Sequence, residues 1–155
     1  QVAIGALISP FDSWLLIRSI KTLKVRMDYA QANTLKLIEF LQGHPAVEKV
    51  YYPTLPSNKG KAIQESQASG AGAVFSFVKD EKKVKTFFEA LRVALFAVSL
   101  GGVETLVTHP STHTHTEFPE EEKVARGVTQ TLVRVAVGIE HIDDLIADFK
   151  QALEK

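Results

Sequence analysis

The sequence contains no cysteine among its 155 residues. A chain without cysteine has no disulfide, no thiolate nucleophile and no cysteine-ligated zinc site. That composition fits a reducing compartment, and we expect a cytoplasmic protein. The sequence also has no apolar run of the roughly 18 residues that a transmembrane helix needs. Packing and hydrogen bonds are therefore expected to provide the stability of the fold.

An excess of charge of one sign is missing as well. The 18 basic residues equal the 18 acidic ones, so the formal net charge is zero. This balance argues against a nucleic acid or an anionic membrane held by bulk electrostatics. The hydrophobic fraction of 45% and charged fraction of 23% are typical of a soluble globular protein. The length allows one domain with a core and is marginal for two.

The first residues differ from an ordinary chain start. Residues 2–8 are nearly all apolar or glycine, and the sequence opens without methionine and without a signal-peptide pattern. A run of this kind needs a partner to cover it. We therefore expect the chain to be part of a longer protein.

A long helical segment is predicted near the start. Ser9 suits the N-cap, Pro10 suits the first helical position, and Asp12 adds a negative charge in the first turn. Apolar residues then recur at helical spacing as far as Gly43, which is longer than a usual globular helix. The basic stretch 21–26 favours a break between two helices, and one continuous helix is the alternative.

The rest of the chain alternates between strand and helix patterns. Strands are predicted at 47–52, 73–78, 103–108 and 131–140, and helices at 80–94, after residue 119 and from residue 143. Residues 53–70 are predicted to form a loop, with a short helix within it as the alternative. This order predicts an α+β fold. We expect an antiparallel or mixed sheet of about four strands, with helices on one face and the long helical segment before it.

A polar glycine turn leads into the third predicted strand. Ser99 and Glu104 stand at its two ends, with Gly101 and Gly102 between them. Glycine allows a positive φ or a close approach of the backbone to a bound group. A serine and a carboxylate so placed can meet a small ligand. The alternative is an ordinary loop that leads into a strand.

Arg134 stands in the middle of the apolar stretch 131–140. A buried lone charge is costly, so its guanidinium must have a partner. The planar fork of arginine suits a carboxylate bound through two hydrogen bonds. That carboxylate belongs either to an Asp or Glu of the same chain or to a ligand, and the sequence leaves both possibilities open.

Three histidines follow the glycine turn. His109, His113 and His115 lie within one polar segment, where three imidazoles could meet a metal ion. However, they alternate with threonine and proline in a predicted loop, and no cysteine or helix fixes their geometry. We therefore expect no metal site and keep metal binding as the lesser alternative.

Taken together, these motifs resemble those of one family. The matching residues are 9–16 (Ser-Pro-Phe-Asp-Ser-Trp-Leu-Leu), 21–23, 26–27, 99–106 (Ser-Leu-Gly-Gly-Val-Glu-Thr-Leu), 109–110, 114–115, 120–121, 126–127, 132–140 and 143–145. In order and spacing they resemble the carboxy-terminal part of the cystathionine lyase and synthase family. These are pyridoxal-phosphate (PLP) enzymes of cysteine and methionine metabolism.

The resemblance implies roles for four residues. Arg134 matches the arginine that holds the substrate α-carboxylate. Ser99 matches the serine beside the cofactor and the reactive lysine. Glu104 matches a position that in some members touches the distal end or amino group of the substrate. Thr114 matches a residue that lines the same pocket.

The resemblance also implies an organisation and an activity. Residues 1–42 would join a missing cofactor domain that holds most of the PLP, and residues 43–155 would be the small domain of a fold-type I enzyme and homotetramer. The full-length protein would cleave C–S bonds of cystathionine-like substrates, as a β- or γ-lyase. The alternatives are a cystathionine γ-synthase, an O-acetylhomoserine sulfhydrylase, or a non-catalytic binding or assembly module.

The lysine that forms the imine with PLP lies upstream in this family. Seven lysines of this chain are expected on polar faces or element ends rather than in an apolar pocket that lowers a pKa. They are Lys21, Lys24, Lys36, Lys79, Lys82, Lys83 and Lys85. We therefore predict that the chain alone is inactive and supplies half of a substrate site.

Overall fold

A computed structural model describes residues 5–155, except for the side chains of Glu81 and Lys82. The helices are α1 (Pro10–Ile20), α2 (Leu23–Gln42), α3 (Lys61–Gln67), α4 (Glu81–Ala90), α5 (Pro110–His113), α6 (Glu120–Ala125) and α7 (Ile142–Leu153). The strands are β1 (Val47–Tyr51), β2 (Val74–Lys79), β3 (Leu95–Phe96), β4 (Leu106–Thr108) and β5 (Leu132–Ala136). Within this part of the chain, no helix is long and apolar enough to cross a lipid bilayer.

The N-terminal segment consists of two helices rather than one. Ser9 caps α1 as predicted, because its hydroxyl accepts the Asp12 backbone N–H at 3.1 Å. The helix breaks between α1 and α2, within the predicted basic stretch. Arg26 stabilises the turn between the two helices, because its guanidinium donates to the Ser19 carbonyl at 3.2 Å and to the Thr22 hydroxyl at 3.3 Å. The alternative of one continuous helix is wrong.

The apolar run 2–8 is described only in part, since residues 2–4 lie outside the described residues. Leu7 and Ile8 are exposed, and α1 has no buried residue. The described residues of this run are therefore not covered by the rest of the chain.

The five strands form one mixed sheet in the order β1-β2-β5-β4-β3. Only the β3–β4 pair is parallel, and the other neighbours are antiparallel. The α+β prediction is confirmed, with one strand more than expected. β3 has only two residues, Leu95 and Phe96, and a strand this short gives no alternation that a sequence pattern can show.

Helices α2, α4 and α7 cover one face of the sheet with an apolar core. Phe77 of β2 lies against Phe87 of α4 and Phe149 of α7, with ring centroids 5.7 and 6.5 Å apart. The burial of each of these phenylalanine side chains contributes about 2–3 kcal/mol to the stability of the fold. The core also contains Leu37, Leu41, Val107, Val133, Val135, Leu145 and Leu153. The opposite face, which we call the open face, has no such apolar helix layer: Leu106, Thr108 and Ala136 are buried there, but the polar side chains of Ser76 and Arg134 at its centre are only half-buried.

Helix α4 and strand β4 are both shorter than predicted. The helix ends at Ala90 rather than at 94, because the Asp148 carboxylate binds the next backbone N–H groups of residues 92–94. The strand begins at Leu106 rather than at 103, because the Thr105 N–H donates to the Glu140 carboxylate instead of to a neighbouring strand. In both places a carboxylate distant in sequence binds the main chain, which local patterns do not show.

Lys79 stands at the end of a strand, as predicted, but the expectation that it avoids an apolar pocket is wrong. Lys79 is fully buried, on the same face of β2 as Phe75 and Phe77. Its ammonium donates to the Leu153 carbonyl at 3.3 Å, at the end of α7. Burial lowers the pKa of Lys79, and the positive charge of Lys83 lowers that pKa further. The expectation for Lys82 lies outside the described residues.

Candidate substrate-carboxylate site

A row of polar side chains crosses the face of the sheet that the helices leave open. The strand register pairs Tyr51 with Ser76, Ser76 with Arg134, and Arg134 with Thr108. Directly opposed residues share one face of a sheet, so these side chains lie side by side. Arg134 stands at the centre of the row because β5 is the central strand.

The guanidinium of Arg134 has no acidic partner among residues 5–155. Its Nη2 donates to the Ser99 carbonyl at 3.0 Å and approaches the Thr108 hydroxyl at 3.4 Å. Its Nε is buried and has no hydrogen-bond acceptor. The alternative of an internal carboxylate is therefore wrong for the described part of the chain.

The open donor gives this site its chemical character. Buried polar atoms in native proteins nearly always have a partner, so an unpaired Nε calls for an acceptor from outside the chain. A carboxylate can take hydrogen bonds from Nε and from a terminal nitrogen at once, in the plane of the guanidinium. The arrangement suits a carboxylate ligand that approaches from the open face of the sheet.

The glycine turn lies against this arginine. Ser99 is exposed, and its carbonyl is the strongest contact of Arg134. Gly101 has a φ of 80°, in the left-handed region that glycine adopts without strain. This conformation lets the chain turn back between Ser99 and Glu104. The structure thus brings the backbone carbonyl of Ser99 to Arg134, while the roles that the resemblance implies for the two residues stay predictions.

Glu104 and Thr114 are not hydrogen-bonded to Arg134 in the part of the chain that the structure describes. Glu104 is exposed, and its carboxylate lies over Gly102. The Thr114 hydroxyl is engaged near α5, where it pairs with the His115 Nδ1 at 2.9 Å. Their roles toward a substrate remain predictions.

Sequence reasoning missed two features of the site. The first is the contact of Thr108 with Arg134. The alternation of β4 shows on which face of the strand Thr108 lies, but the register of β4 against β5, which places it beside Arg134, is not readable from sequence. The second feature is a hydrogen-bond network at Thr105 and Glu140, which holds the end of the glycine turn. Both residues lie in the quoted motifs, but their contact spans 35 positions.

The three histidines do not converge. Both ring nitrogens of His109 are engaged, with the Thr112 hydroxyl at 2.8 Å and the Gln130 carbonyl at 2.9 Å. The ring contacts of the other two are His113 with Phe96 at 4.6 Å and His115 with Phe118 at 5.9 Å between centroids. Among the described residues, no group of three or more histidine and carboxylate side chains is arranged to hold a metal ion.

Comparison with known proteins shows the family to which this chain belongs. The model of the Cys/Met metabolism PLP-dependent enzyme family matches residues 1–154. The chain belongs to this family. The family resemblance of the sequence motifs is thereby confirmed.

Relatives within the Cys/Met metabolism family include lyases and synthases. The cystathionine beta-lyase MetC of Bacillus subtilis strain 168 is 46% identical over 100% of this chain and 40% of its own length. The cystathionine gamma-synthase of Haemophilus influenzae is 45% identical over 98% of this chain and 37% of its own length. The crystal structure of cystathionine gamma-lyase from Lactobacillus plantarum complexed with L-serine has a TM-score of 0.92 and 39% identity, and the match covers 98% of this chain and 40% of that one.

This chain thus spans about 40% of the length of the relatives that it matches. PLP chemistry needs a lysine amine, a phosphate-binding site and an acidic partner for the ring nitrogen. The buried Lys79 lies on the opposite face of the sheet from Arg134 and contacts the end of α7. The geometry around Arg134 suits a carboxylate ligand.

Proposed function

We propose that this chain is the substrate-carboxylate part of a PLP-dependent enzyme that cleaves C–S bonds of cystathionine-like substrates, as a β- or γ-lyase. The observation that supports this is the guanidinium of Arg134, which has an open buried donor, no acidic partner among residues 5–155, and the Ser99 turn beside it. The family membership adds the class of chemistry. The alternative of a binding or assembly module needed an internal pairing of Arg134, and the described residues provide no carboxylate for it.

The side chains of this site have separate roles in the proposal. Arg134 holds the substrate α-carboxylate and so fixes the orientation of the α-carbon and of the bond to be broken. Ser99 lies beside the reacting groups, next to the cofactor position. Glu104 contacts the distal end of the substrate, and Thr114 lines the same pocket. These roles follow the family resemblance.

The remaining parts belong to the longer protein that we propose. PLP, when bound there, supplies the electron sink for bond breaking next to the α-carbon. An upstream domain holds it, together with the lysine that forms the imine. Residues 1–42 join that domain, and residues 43–155 form the C-terminal small domain of a cytoplasmic homotetramer. The chain alone is accordingly inactive.

The test is replacement of Arg134 in the full-length enzyme. Loss of a paired, charge-assisted carboxylate contact costs about 2–3 kcal/mol, so Arg134→Ala raises KM for cystathionine about 30- to 150-fold. Arg134→Lys keeps the charge but not the fork, and gives an intermediate KM. Arg126→Ala is the matched control, because Arg126 is exposed and paired with Glu122. A KM that Arg134→Ala leaves unchanged refutes the assignment.

A product assay distinguishes the reactions within the family. Homocysteine with pyruvate identifies β-elimination from cystathionine, and cysteine with 2-oxobutyrate identifies γ-elimination. A γ-synthase or a sulfhydrylase is the second candidate, because the Haemophilus influenzae relative is a cystathionine gamma-synthase. That candidate predicts that an acylated homoserine is consumed only with a thiol or sulfide present, while cystathionine alone is turned over slowly.

A further inference from the structure

A hydrogen-bond network lies directly behind Glu104 and joins the start of β4 to the end of β5. The Glu140 carboxylate accepts the Thr105 backbone N–H and, at 2.8 Å, the Thr105 hydroxyl. The same hydroxyl accepts the Gly138 N–H at 2.9 Å. Thr105 is fully buried and its bond to Gly138 is shielded from water, while the two bonds to Glu140 are partly buried.

Helix α2 is tied to the same network. The Asn33 amide donates to the Gly138 carbonyl at 3.3 Å and to the Glu140 carbonyl at 2.8 Å. Asn33 is itself 4% exposed. The network therefore connects α2, β5 and the residue that follows Glu104.

The backbone at Gly138 also lies unusually close to the backbone of Val103 and Glu104. A Cβ atom at Gly138 would lie 2.2 Å from the Val103 carbonyl oxygen and 2.6 Å from the Glu104 carbonyl carbon. Ile139 donates its N–H to the same Val103 carbonyl at 2.8 Å. Only glycine at position 138 lets the peptide between Val103 and Glu104 lie in this place.

We propose that Asn33, Thr105, Gly138 and Glu140 are positioning residues that set the place of Glu104 and thereby the preference of the enzyme for thioethers with a second amino acid at the distal end. This rests on the proposed function, in which Glu104 contacts that distal end. The network acts through Glu104 and does not touch the substrate.

The network can determine the position of Glu104 because few other contacts hold this residue. Its side chain is exposed and has no hydrogen-bond partner among the residues that the structure describes. The direction of its Cα–Cβ bond therefore depends on the neighbouring backbone, which Thr105 and Gly138 fix. Arg134 is held separately, by β5 and the Ser99 carbonyl. The network is thus placed to affect the distal end of a substrate and not its α-carboxylate.

The experiment compares two thioether substrates in the full-length, PLP-loaded enzyme. One is cystathionine. The other keeps the α-carboxylate but lacks the distal amino acid: it is S-methylcysteine for a β-eliminating enzyme, or S-methylhomocysteine (methionine) for a γ-eliminating one. Thr105→Val removes the hydroxyl bonds to Glu140 and Gly138. We expect kcat/KM for cystathionine to fall about tenfold, mainly through KM, and kcat/KM for the short substrate to change less than about twofold.

Three variants serve as controls. Thr105→Ser retains the hydroxyl and is expected to restore the preference for cystathionine. Thr34→Val makes the same chemical change at a fully buried threonine whose hydroxyl bonds only within α2, and is expected to leave the preference unchanged. Arg134→Ala is expected to lower kcat/KM for both substrates alike. If Thr105→Val does not yield folded protein, Glu140→Gln replaces it, with a smaller loss of preference.

Each outcome has one meaning. A selective loss with Thr105→Val, reversed by Thr105→Ser, supports the positioning role. An equal loss for both substrates shows that the network is only structural and overturns the inference, while the role of Arg134 stands. A preference that Glu104→Ala leaves unchanged removes the assumed contact of Glu104 and the inference with it. A wild-type enzyme that cleaves neither thioether refutes the proposed lyase function and this inference together.

Discussion

At the scale of single residues, Arg134 and Lys79 show what burial does to a cation in this fold. Both lie on central strands of the sheet, yet on opposite faces. Arg134 is half-buried on the open face, and its buried Nε has no acceptor among the described residues. Lys79 is enclosed under the helices and has one carbonyl as its acceptor. The first arrangement favours binding, and the second makes stability depend on pH.

The Lys79 prediction concerns alkaline pH. Burial holds the pKa of Lys79 below its value of 10.5 in the unfolded chain, so the folded state loses this proton first. Between the two pKa values the unfolded state binds more protons, and stability therefore rises as the pH rises through that window. Lys79→Met should remove this rise and increase stability near neutral pH by about 1 kcal/mol.

Urea unfolding of the chain at about pH 7 and at pH 10.5, the pKa of lysine in the unfolded chain, measures this effect. Lys36→Met is the matched control, since Lys36 is exposed on α2, is not among the groups that shift the pKa of Lys79, and should leave the pH dependence as it is in the wild type. An alkaline rise that persists in Lys79→Met would contradict the explanation.

The sequence reveals the chemistry of these two residues only in part. For Arg134 it shows a charge within an apolar strand and thus the need for a partner. The identity of its contacts depends on the register between β4 and β5 and on the path of the Ser99 turn, which no local pattern contains. Lys79 stands at the end of an apolar run, where the pattern alone does not tell a strand end from a buried position.

At the scale of elements, Asp148 connects α7 to the segment that leads into β3. Its carboxylate accepts the backbone N–H groups of Arg92, Val93 and Ala94, each at 2.9 Å. Asp148 is 3% exposed, so these bonds are protected from water. They end α4 at Ala90 and place the two residues of β3 beside β4.

We expect Asp148→Asn to destabilise the fold by about 2 kcal/mol. The amide replaces one of the two charged acceptors with a donor that faces backbone N–H groups, and hydrogen bonds to charged groups contribute about 1.5–3 kcal/mol. Asp144→Asn is the control in the same helix, because Asp144 is exposed in the first turn and interacts only with the helix dipole, at about 0.3–1 kcal/mol. The measurement is the urea midpoint, and equal shifts for the two variants would refute the prediction.

Elements with their own periodicity were predictable, and those set by distant contacts were not. The cap of α1, the strands at β1, β2 and β5, and the apolar face of α7 follow from local patterns. The end of α4 and the start of β4 depend on Asp148 and Glu140, which lie far along the chain. The strand β3 exists only because β4 is beside it.

At the scale of the whole molecule, α1 presents an uncovered apolar surface. None of its residues is buried, and its exposed large side chains are Phe11, Trp14, Leu15, Leu16, Ile17 and Ile20. A contiguous exposed patch of this kind marks an interaction surface. In our proposal the upstream cofactor domain covers it in the longer protein.

Trp14 reports on this cover because it is the single tryptophan of the chain and is 57% exposed. The measurement is the fluorescence of Trp14. In the 155-residue chain, diluted until sedimentation shows a monomer, we expect this fluorescence to have a long emission wavelength and to be strongly quenched by acrylamide. In the longer protein, the difference between wild type and Trp14→Phe gives the Trp14 signal. That signal should lie at shorter wavelength and be quenched several-fold less. Equal quenching in both proteins would contradict the proposed joining role of residues 1–42.

The order of the strands has a consequence for how the protein matures. β5 is the last strand in the chain but lies between β2 and β4, so it completes a sheet whose two halves otherwise do not touch. During synthesis those halves emerge first and wait for the strand that joins them. Arg134 arrives on that strand. In our proposal Arg134 binds the substrate carboxylate, so a nascent chain would gain this contact only after β5 has joined the two halves of the sheet.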